Sequence, residues 1–269
     1  MKRPSDHKPN RGKPSRDKPS RERSLRDDKD NPEGYRLNKF IAHAGLCSRR
    51  EAAEWVKAGK IKVNGKVEKN PAVLVSRDDN VEYQGNRVMI EDKMVYILMN
   101  KPKDTITTVS DDKNRRTVMD LLQGKVDVRL YPVGRLDRNT TGLLLLTNDG
   151  ELTKKLTHPS HEVKKIYHVF LDREFAEKDL AKLRKGIKLE DGFIKPDKVD
   201  PVKNAGANEV GVEIHSGRNR IVRRMFEALD YRVLKLDRVY FAGLTKKDLP
   251  RGRFRHLTER EIIMLKHFT

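Results

Sequence analysis

Cysteine is almost missing from this chain of 269 residues, because Cys47 is the only one. A single thiol excludes a disulfide bond within the chain and any zinc site that needs several cysteines. It also fits a reducing compartment, so we expect a cytoplasmic protein.

Long apolar stretches are missing as well. No apolar run approaches the roughly 20 residues that a membrane-spanning helix needs, and the charged first residues predict that there is no signal peptide. The chain also lacks a basic amphipathic helix with a strongly apolar face, which would be typical of binding to a membrane surface. We therefore expect no membrane partner.

Several motifs of nucleotide-binding and hydrolytic enzymes are absent. The sequence contains no Gly-Lys-Ser/Thr phosphate loop, no glycine pattern for dinucleotides and no Ser-x-Gly nucleophile turn. His158 and His161 lie near each other in the sequence, but no cluster of further ligand types surrounds them. We therefore expect no metal site.

Positive charge is what this chain has in excess. Lys and Arg number 59 against 40 Asp and Glu, which gives a formal net charge of +19, and 37% of all residues are charged. An excess of this size indicates a polyanionic partner, and nucleic acid is the first candidate.

Residues 1–33 differ in composition from the rest of the chain. A proline recurs every five residues from Pro4 to Pro19, and residues 1–30 hold eleven Lys or Arg against six Asp or Glu. Such a segment cannot bury enough apolar surface to offset its chain entropy, so we expect it to be disordered. Its role stays open between a basic arm that prolongs residence on RNA and a tail that only solubilises.

A compact module is predicted for residues 34–92. Apolar residues at helical spacing predict a first helix over 37–44. Ser48 and Glu51 have the spacing of a capping box, which predicts a second helix that Gly59 ends.

Two hairpins follow these helices in the prediction, with turns at Asn64-Gly65 and around Gly85. Trp55 and His43 are interpreted as packing residues. The basic side chains of the module could gather on one face and contact phosphates, or they could be scattered solvent charges. The candidates for RNA contact are Arg36, Lys39, Arg49, Arg50 and Lys62.

Strands mixed with helices are predicted for a larger domain over residues 93–269. Together with the small helix–helix–hairpin module, this mixture gives an α+β fold class. The predicted strands are 95–99, 105–109, 128–133, 143–147, 163–171, 210–214 and 233–241. The predicted helices are 117–122, 150–158, 175–186, 222–229 and 258–265, and a hairpin is predicted to turn at Asp191-Gly192.

The loop 134–142 lies between two of these strands, where buried elements on both sides would hold it rigid. Asp137 is its only carboxylate, and Arg135 and Arg138 flank it. Neighbouring cations favour the ionised form of a carboxylate, which suits a nucleophile or a base. The alternative is a solvated turn in which Asp137 pairs with Arg135 or Arg138.

This loop and the strand after it also carry a resemblance. The run Gly-Arg-Leu-Asp at 134–137, followed by Thr-Thr-Gly-Leu-Leu-Leu-Leu-Thr-Asn-Asp-Gly at 140–150, resembles the signature of pseudouridine synthases of the RsuA and RluB/RluE/RluF group. The resemblance implies that Asp137 is the catalytic residue. It further implies a mixed, mostly antiparallel sheet with the catalytic cleft across its middle.

Two more motifs resemble those of the same family. Lys165-Ile166-Tyr167 is similar to a Lys-x-Tyr strand whose tyrosine packs against the target base, although a core tyrosine is the alternative for Tyr167. The run 217–225 is similar to Gly-Arg-Asn-Arg-Gln-Ile-Arg-Arg-Met, which implies that Arg223 pairs with Asp137. Ile221 departs from the pattern, because Gln is usual there.

The large domain has further candidates for RNA contact, all of them polar or basic and close to these motifs. They are Arg135, Arg138, Lys165, Arg218, Asn219, Arg220 and Arg224.

The small module resembles the S4 domain, an RNA-binding module, through Arg-Leu-Asn-Lys-Phe-Ile, Ser-Arg-Arg-Glu-Ala and Ile-Lys-Val-Asn-Gly. The whole pattern is nearest the RluB type, which implies a monomer that isomerises uridine in large-subunit ribosomal RNA without metal or cofactor. A small-subunit target and a catalytically idle ribosome-assembly factor are the alternatives.

Overall fold

The computed structural model describes residues 34–267, so the tail predicted to be disordered lies outside the described residues. The helices of the described part are α1 Leu37–His43, α2 Arg49–Lys57, α3 Gly150–Thr157, α4 Glu177–Lys185, α5 Ile221–Glu227 and α6 Glu259–Lys266. Its strands are β1 Tyr35–Arg36, β2 Ile61–Val63, β3 Lys66–Glu68, β4 Leu74–Val75, β5 Val81–Tyr83, β6 Asn86–Arg87, β7 Tyr96–Lys101, β8 Tyr131–Pro132, β9 Thr140–Thr147, β10 Lys165–Leu171, β11 Ile187–Leu189, β12 Gly192–Ile194, β13 Lys198–Pro201, β14 Glu209–Ile214, β15 Val233–Phe241, β16 Leu244–Thr245 and β17 Phe254–His256.

The N-terminal module has the predicted helix–helix–hairpin order. Ser48 and Glu51 form the predicted capping box at the start of α2. Asn64 and the glycine after it both have positive φ, as a tight two-residue turn between β2 and β3 requires. Trp55 stacks on Tyr83 with ring centroids 4.2 Å apart, which confirms that it packs within the protein.

The main sheet runs in the order β13-β14-β10-β15-β9-β7-β17, with β16 paired to β15 and β8 paired to β9. Within residues 34–267, β9 and β15 are the parallel pair of this sheet, and its other neighbours are antiparallel. The prediction of a mixed, mostly antiparallel sheet is therefore confirmed.

Strand β9 is covered on both of its faces. Leu143 and Leu145 join a hydrophobic cluster with residues of α3 and α6, whereas Leu144 and Leu146 join a cluster on the opposite face. Burial on both faces explains why the strand is an unbroken apolar run in the sequence rather than an alternating one.

The segment between β7 and β9 differs from its prediction. Residues 105–109 form no strand beyond one bridge from Ile106 to Thr117, and the helix predicted over 117–122 is replaced by turns at 118–122. Side chains supply the reason, because the Asp111 carboxylate accepts two backbone N–H groups and the Asp120 carboxylate accepts that of Thr117. The strand predicted over 128–133 is correspondingly short, since only β8 forms there.

Gly142 lies where β9 and β15 pair, with φ +104°, and a side chain there would collide with Arg238. A Cβ atom would stand 2.6 Å from the backbone nitrogen of Arg238 and 2.6 Å from Asp237 Oδ1. We expect Gly142→Ala to lower the free energy of unfolding by about 3 kcal/mol or more, because overpacking and backbone strain add. Urea unfolding measures this decrease.

Gly124→Ala is the matched control, because Gly124 also has positive φ (+69°) but nothing lies within 4 Å of the added Cβ. It should cost only about 1–2 kcal/mol for the backbone conformation. If both variants lowered the free energy of unfolding equally, close contact between Gly142 and β15 would not explain the effect of Gly142→Ala.

Candidate active site

The Lys101 side chain holds the loop that contains Asp137 through hydrogen bonds to the loop backbone. This side chain is fully buried at the end of β7. The Nζ atom lies within hydrogen-bonding distance of the carbonyl oxygens of Pro102 (3.1 Å), Asp137 (3.1 Å), Arg138 (3.2 Å) and Thr140 (2.8 Å), which share its three N–H groups. One ammonium group therefore fixes the backbone from Asp137 to Thr140.

Burial lowers the pKa of Lys101 to about 8, although the nearby Asp137 and Asp104 carboxylates oppose this shift. The pKa thus stays above neutral pH, and the charged form remains available to donate to several carbonyls at once.

Thr107 holds the same loop through hydrogen bonds to Leu136. The Thr107 hydroxyl donates to the Leu136 carbonyl oxygen (2.8 Å) and accepts from the Leu136 N–H (3.3 Å). Leu136 itself is buried in a hydrophobic cluster with β7 and β9. The residue before Asp137 is therefore fixed by packing as well as by hydrogen bonds.

The Asp137 side chain faces two arginines from the segment around α5. Its Oδ2 lies 3.7 Å from Arg220 Nη1 and 3.9 Å from Arg223 Nε, and the side chain is 36% exposed. Arg138 pairs with Asp104 instead, at 3.3 Å. The alternative of a turn in which Asp137 pairs with Arg135 or Arg138 is therefore not what the structure contains.

Arg223 is nearly buried, with 8% of its surface exposed. Its Nη1 donates to the Val233 carbonyl oxygen at 2.9 Å, whereas its Nε is buried and has no hydrogen-bond partner among the described residues. Burial lowers the pKa of Arg223, Arg220 adds to the decrease, and Asp137 opposes it. A buried donor without a partner is costly, and the Asp137 carboxylate, at 3.9 Å, lies beyond hydrogen-bonding distance from this Nε.

Tyr167 lies on β10, near the middle of the main sheet. It stands opposite Val212 on one side and Arg238 on the other. Half-buried, it packs against the hydrophobic cluster that contains Leu136, the neighbour of Asp137. Its hydroxyl has no hydrogen-bond partner within residues 34–267. The tyrosine thus packs against the same hydrophobic cluster as Leu136, the residue before Asp137.

Three of the side chains predicted to contact RNA instead bind other groups of the protein. Lys165 Nζ donates to the carbonyl oxygens of Val163 (2.7 Å) and His215 (2.6 Å), and burial lowers its pKa to about 8. Arg218 and Arg224 both bind Asp191.

Other predicted contacts lie at the surface of the described structure. Lys39 is half-buried, with its Nζ 5.6 Å from the ring centre of Tyr35. The exposed ones are Arg36, Arg49, Arg50, Lys62, Arg135, Arg138, Asn219 and Arg220.

Sequence reasoning missed the roles of Lys101 and Thr107. A lysine at the end of an otherwise apolar strand was the available signal, since a charged residue in a buried strand must find partners. In residues 34–267 no group of His, Cys, Asp or Glu is placed to hold a metal ion. A helix long and apolar enough to cross a bilayer is likewise not found there.

We expect Lys101→Met to loosen the Asp137 loop, because the carbonyl groups of Asp137, Arg138 and Thr140 all lose the Lys101 ammonium as a donor. The free energy of unfolding should fall by about 2–3 kcal/mol, and proteolytic cleavage within residues 134–140 should become faster. Lys103→Met is the control, since Lys103 is exposed and should change stability by less than about 0.5 kcal/mol. Similar results for both lysines would contradict the role of the Lys101 ammonium.

Comparison with known proteins identifies both parts of the chain. A family model described as RNA pseudouridylate synthase matches residues 95–228, and a model of the S4 domain matches residues 36–81. A crystal structure of a pseudouridylate synthase is similar to this chain with a TM-score of 0.63 and 31% identity, covering 86% of this chain and 100% of that one.

Two relatives are similar over most of their length. The ribosomal large subunit pseudouridine synthase B of Bacillus subtilis (strain 168) is 44% identical over 234 residues, which are 86% of this chain and 95% of the relative. An uncharacterized RNA pseudouridine synthase of Aquifex aeolicus (strain VF5) is 37% identical over 232 residues, covering 86% and 93%. The resemblance in the sequence motifs is thus confirmed, and the chain belongs to the RNA pseudouridylate synthase family, as an isomerase with an S4 domain before its catalytic sheet.

Proposed function

We propose that this protein converts a specific uridine of large-subunit ribosomal RNA to pseudouridine, with Asp137 as its catalytic residue. The observation that carries the proposal is the Asp137 carboxylate on a rigid loop, 3.7 Å and 3.9 Å from two guanidinium groups. The choice of target is supported by the B. subtilis relative, whose name specifies the ribosomal large subunit.

The reaction is a rearrangement within one nucleotide. The bond from C1′ of the ribose to N1 of uracil breaks, and a bond from C1′ to C5 forms. The proton on C5 is lost and N1 gains a proton, so atoms and electrons balance without a co-reactant. The chemistry therefore asks the protein for positioning, for charge stabilisation and for a group that attacks or takes a proton.

Asp137 suits that last requirement. Attack on the ribose, attack on the base and proton removal all need an ionised carboxylate. Arg220 and Arg223 supply positive charge beside it, and burial of Arg223 keeps that guanidinium in one place. Hydrogen bonds from Lys101 and Thr107 keep the backbone of the loop in position.

Tyr167 provides an aromatic face for the target base. A uridine inside folded RNA has to leave its stack before its C1′ and C5 atoms can be reached, and aromatic side chains commonly receive such a base. This role is supported by the packing of Tyr167 against the hydrophobic cluster to which Leu136, the residue before Asp137, also belongs.

Residues 34–92 act as the RNA grip in this proposal, residues 93–269 as the catalytic domain, and residues 1–33 as a basic tail. Arg49 and Arg50 occupy the first two positions of α2, where the helix dipole disfavours positive charge by about 0.3–1 kcal/mol each. An anionic partner would offset that cost, and both side chains are exposed. Ribosomal RNA in the cytoplasm is the partner we propose.

Replacing Asp137 by Asn tests the catalytic assignment. The substitution keeps the shape of the side chain but removes its charge, so pseudouridine formation should fall to background. RNA affinity should not fall, because one negative charge has been removed from a basic site. Chemical mapping of pseudouridine in unmodified ribosomal RNA, after incubation with each protein, provides the measurement.

Asp127→Asn is the matched control, because Asp127 is an exposed carboxylate that lies upstream of the loop. This variant should retain wild-type activity. Full turnover by Asp137→Asn would remove Asp137 from the mechanism, modification of small-subunit RNA alone would replace the target, and a wild-type protein that modifies neither RNA would favour an assembly factor.

The salt dependence of RNA affinity tests whether residues 34–92 bind the RNA. The slope of log affinity against log salt should become shallower by about 0.7–0.9 for each phosphate that the protein no longer neutralises. We therefore expect the double variant Arg49→Gln with Arg50→Gln to bind RNA more weakly and with a slope shallower by about 1.5. Filter binding between low and physiological salt measures it.

Lys178→Gln with Lys185→Gln is the control, because both lysines are exposed on α4 and the change in net charge is the same. If this control variant flattened the salt dependence equally, overall charge rather than the S4 domain would explain the binding.

A further inference from the structure

The four arginines around the start of α5 divide into two pairs with different partners. Arg220 and Arg223 face Asp137, at 3.7 Å and 3.9 Å. Arg218 and Arg224 instead face Asp191, at 3.2 Å and 2.6 Å. One short segment therefore connects two carboxylates that belong to different parts of the chain.

Asp191 lies at the turn between β11 and β12 and binds Arg224 through both of its oxygens. Arg224 Nη2 donates to Asp191 Oδ1 at 2.6 Å, and Nη1 donates to Oδ2 at 2.9 Å. The hydrogen bonds from Arg224 lower the pKa of Asp191 to about 2, against a smaller opposing effect of burial and with a contribution from Arg218. This fork geometry fixes the guanidinium in direction as well as in distance.

The Arg218 guanidinium binds backbone carbonyl oxygens of the same hairpin. Its Nη2 donates to the Phe193 carbonyl oxygen at 2.6 Å, and its Nη1 donates to the Asp191 carbonyl oxygen at 3.1 Å. The hairpin is in turn anchored in the hydrophobic core through buried Ile194, with Ile187 and Leu189 packed against the same cluster. The turn is therefore a firm support and not a loose surface loop.

The start of α5 needs such a support. Arg220 is the N-cap residue of α5 and has a left-handed backbone with φ +47°, and no side-chain hydrogen bond caps the helix. Left-handed backbone at a residue other than glycine persists only where its surroundings hold it. Arg224 lies one turn further, with its N–H bonded to the Arg220 carbonyl oxygen at 3.0 Å. Anchoring Arg224 therefore holds the turn from which Arg220 and Arg223 project.

We propose that Asp191 is a positioning residue for the isomerisation: it holds the arginine segment so that Arg220 and Arg223 stay in place against Asp137. This inference rests on the proposed catalytic role of Asp137. It also assigns Arg218 and Arg224 to the support of the site, because both guanidinium groups are paired with Asp191, which offsets one of their two positive charges and competes with RNA phosphates for them.

Asp191→Asn separates this role from a merely structural one, because rate and affinity should change in opposite directions. The rate constant for pseudouridine formation in a single turnover, with enzyme in saturating excess, should fall at least about tenfold, since small misplacements of catalytic groups are costly. RNA affinity should rise, because two guanidinium groups lose their counter-charge. Asp191→Glu keeps the charge and should restore most of the rate.

Asp200→Asn is the matched control. Asp200 also pairs with two cations, Arg184 at 2.6 Å and Lys198 at 3.3 Å, and its side-chain exposure of 41% is close to the 43% of Asp191. It lies on β13 and binds no residue of the arginine segment. We expect its single-turnover rate to equal that of wild type, while its net charge changes by the same amount.

The outcomes are distinct. Equal rates for Asp191→Asn and Asp200→Asn would overturn the positioning role, and so would a slower rate together with weaker RNA binding and a lower unfolding midpoint. A wild-type protein without pseudouridine-forming activity, or an Asp137→Asn protein with full activity, would overturn the proposed function itself. A slower Asp191→Asn protein that binds RNA more tightly and is rescued by Asp191→Glu is the result we expect.

Discussion

The parallel pairing of β9 with β15 is the interaction on which the site depends. Asp137 lies three residues before β9, and Arg223 is bonded to the Val233 carbonyl oxygen at the first residue of β15. The register that sets Leu236 beside Thr140 therefore sets the two charged groups near each other across 86 residues of chain. Gly142 permits this approach, because any larger residue would collide with Arg238.

A buried carboxylate reinforces the same crossing point. Asp237 on β15 accepts a hydrogen bond from the Thr141 hydroxyl at 2.9 Å and pairs with Arg251 at 2.9 Å and with Lys246. Burial by itself would raise the pKa of Asp237, but hydrogen bonds from Arg251 and Lys246 outweigh it and lower the pKa. Arg251 also donates to Asn100, so one polar network joins β7, β9 and β15.

The excess of positive charge therefore serves two purposes. Lys101, Lys165 and Arg238 are partly or fully buried, and each donates to backbone carbonyl oxygens within the protein. Arg49 and Arg50, in contrast, are exposed and suited to an external anion. A basic composition alone does not distinguish these uses, because it counts charges without stating which of them are solvated.

Local signals in the sequence determined much of this protein. The capping box at Ser48, the turn at Asn64 and the apolar run of β9 each act within a few residues, so they could be interpreted without knowing the rest of the chain. The motif around Asp137 indicated the family in the same way. The strand predicted over 105–109 and the helix predicted over 117–122 are wrong, because Asp111 and Asp120 bind the backbone there, and a side chain that competes with regular hydrogen bonding leaves no periodic pattern.

Only the tertiary structure decided which charges meet. By sequence distance Asp137 should pair with Arg135 or Arg138, and resemblance alone pointed to Arg223; the fold places Arg220 beside the carboxylate as well. Two other sets of contacts could not be predicted from neighbouring residues either. They are the pairing of Asp191 with Arg218 and Arg224, and the contacts of the Lys101 ammonium with four carbonyl oxygens. An ion pair depends on distance in space, and that distance follows from strand order and register, which no stretch of the chain carries by itself.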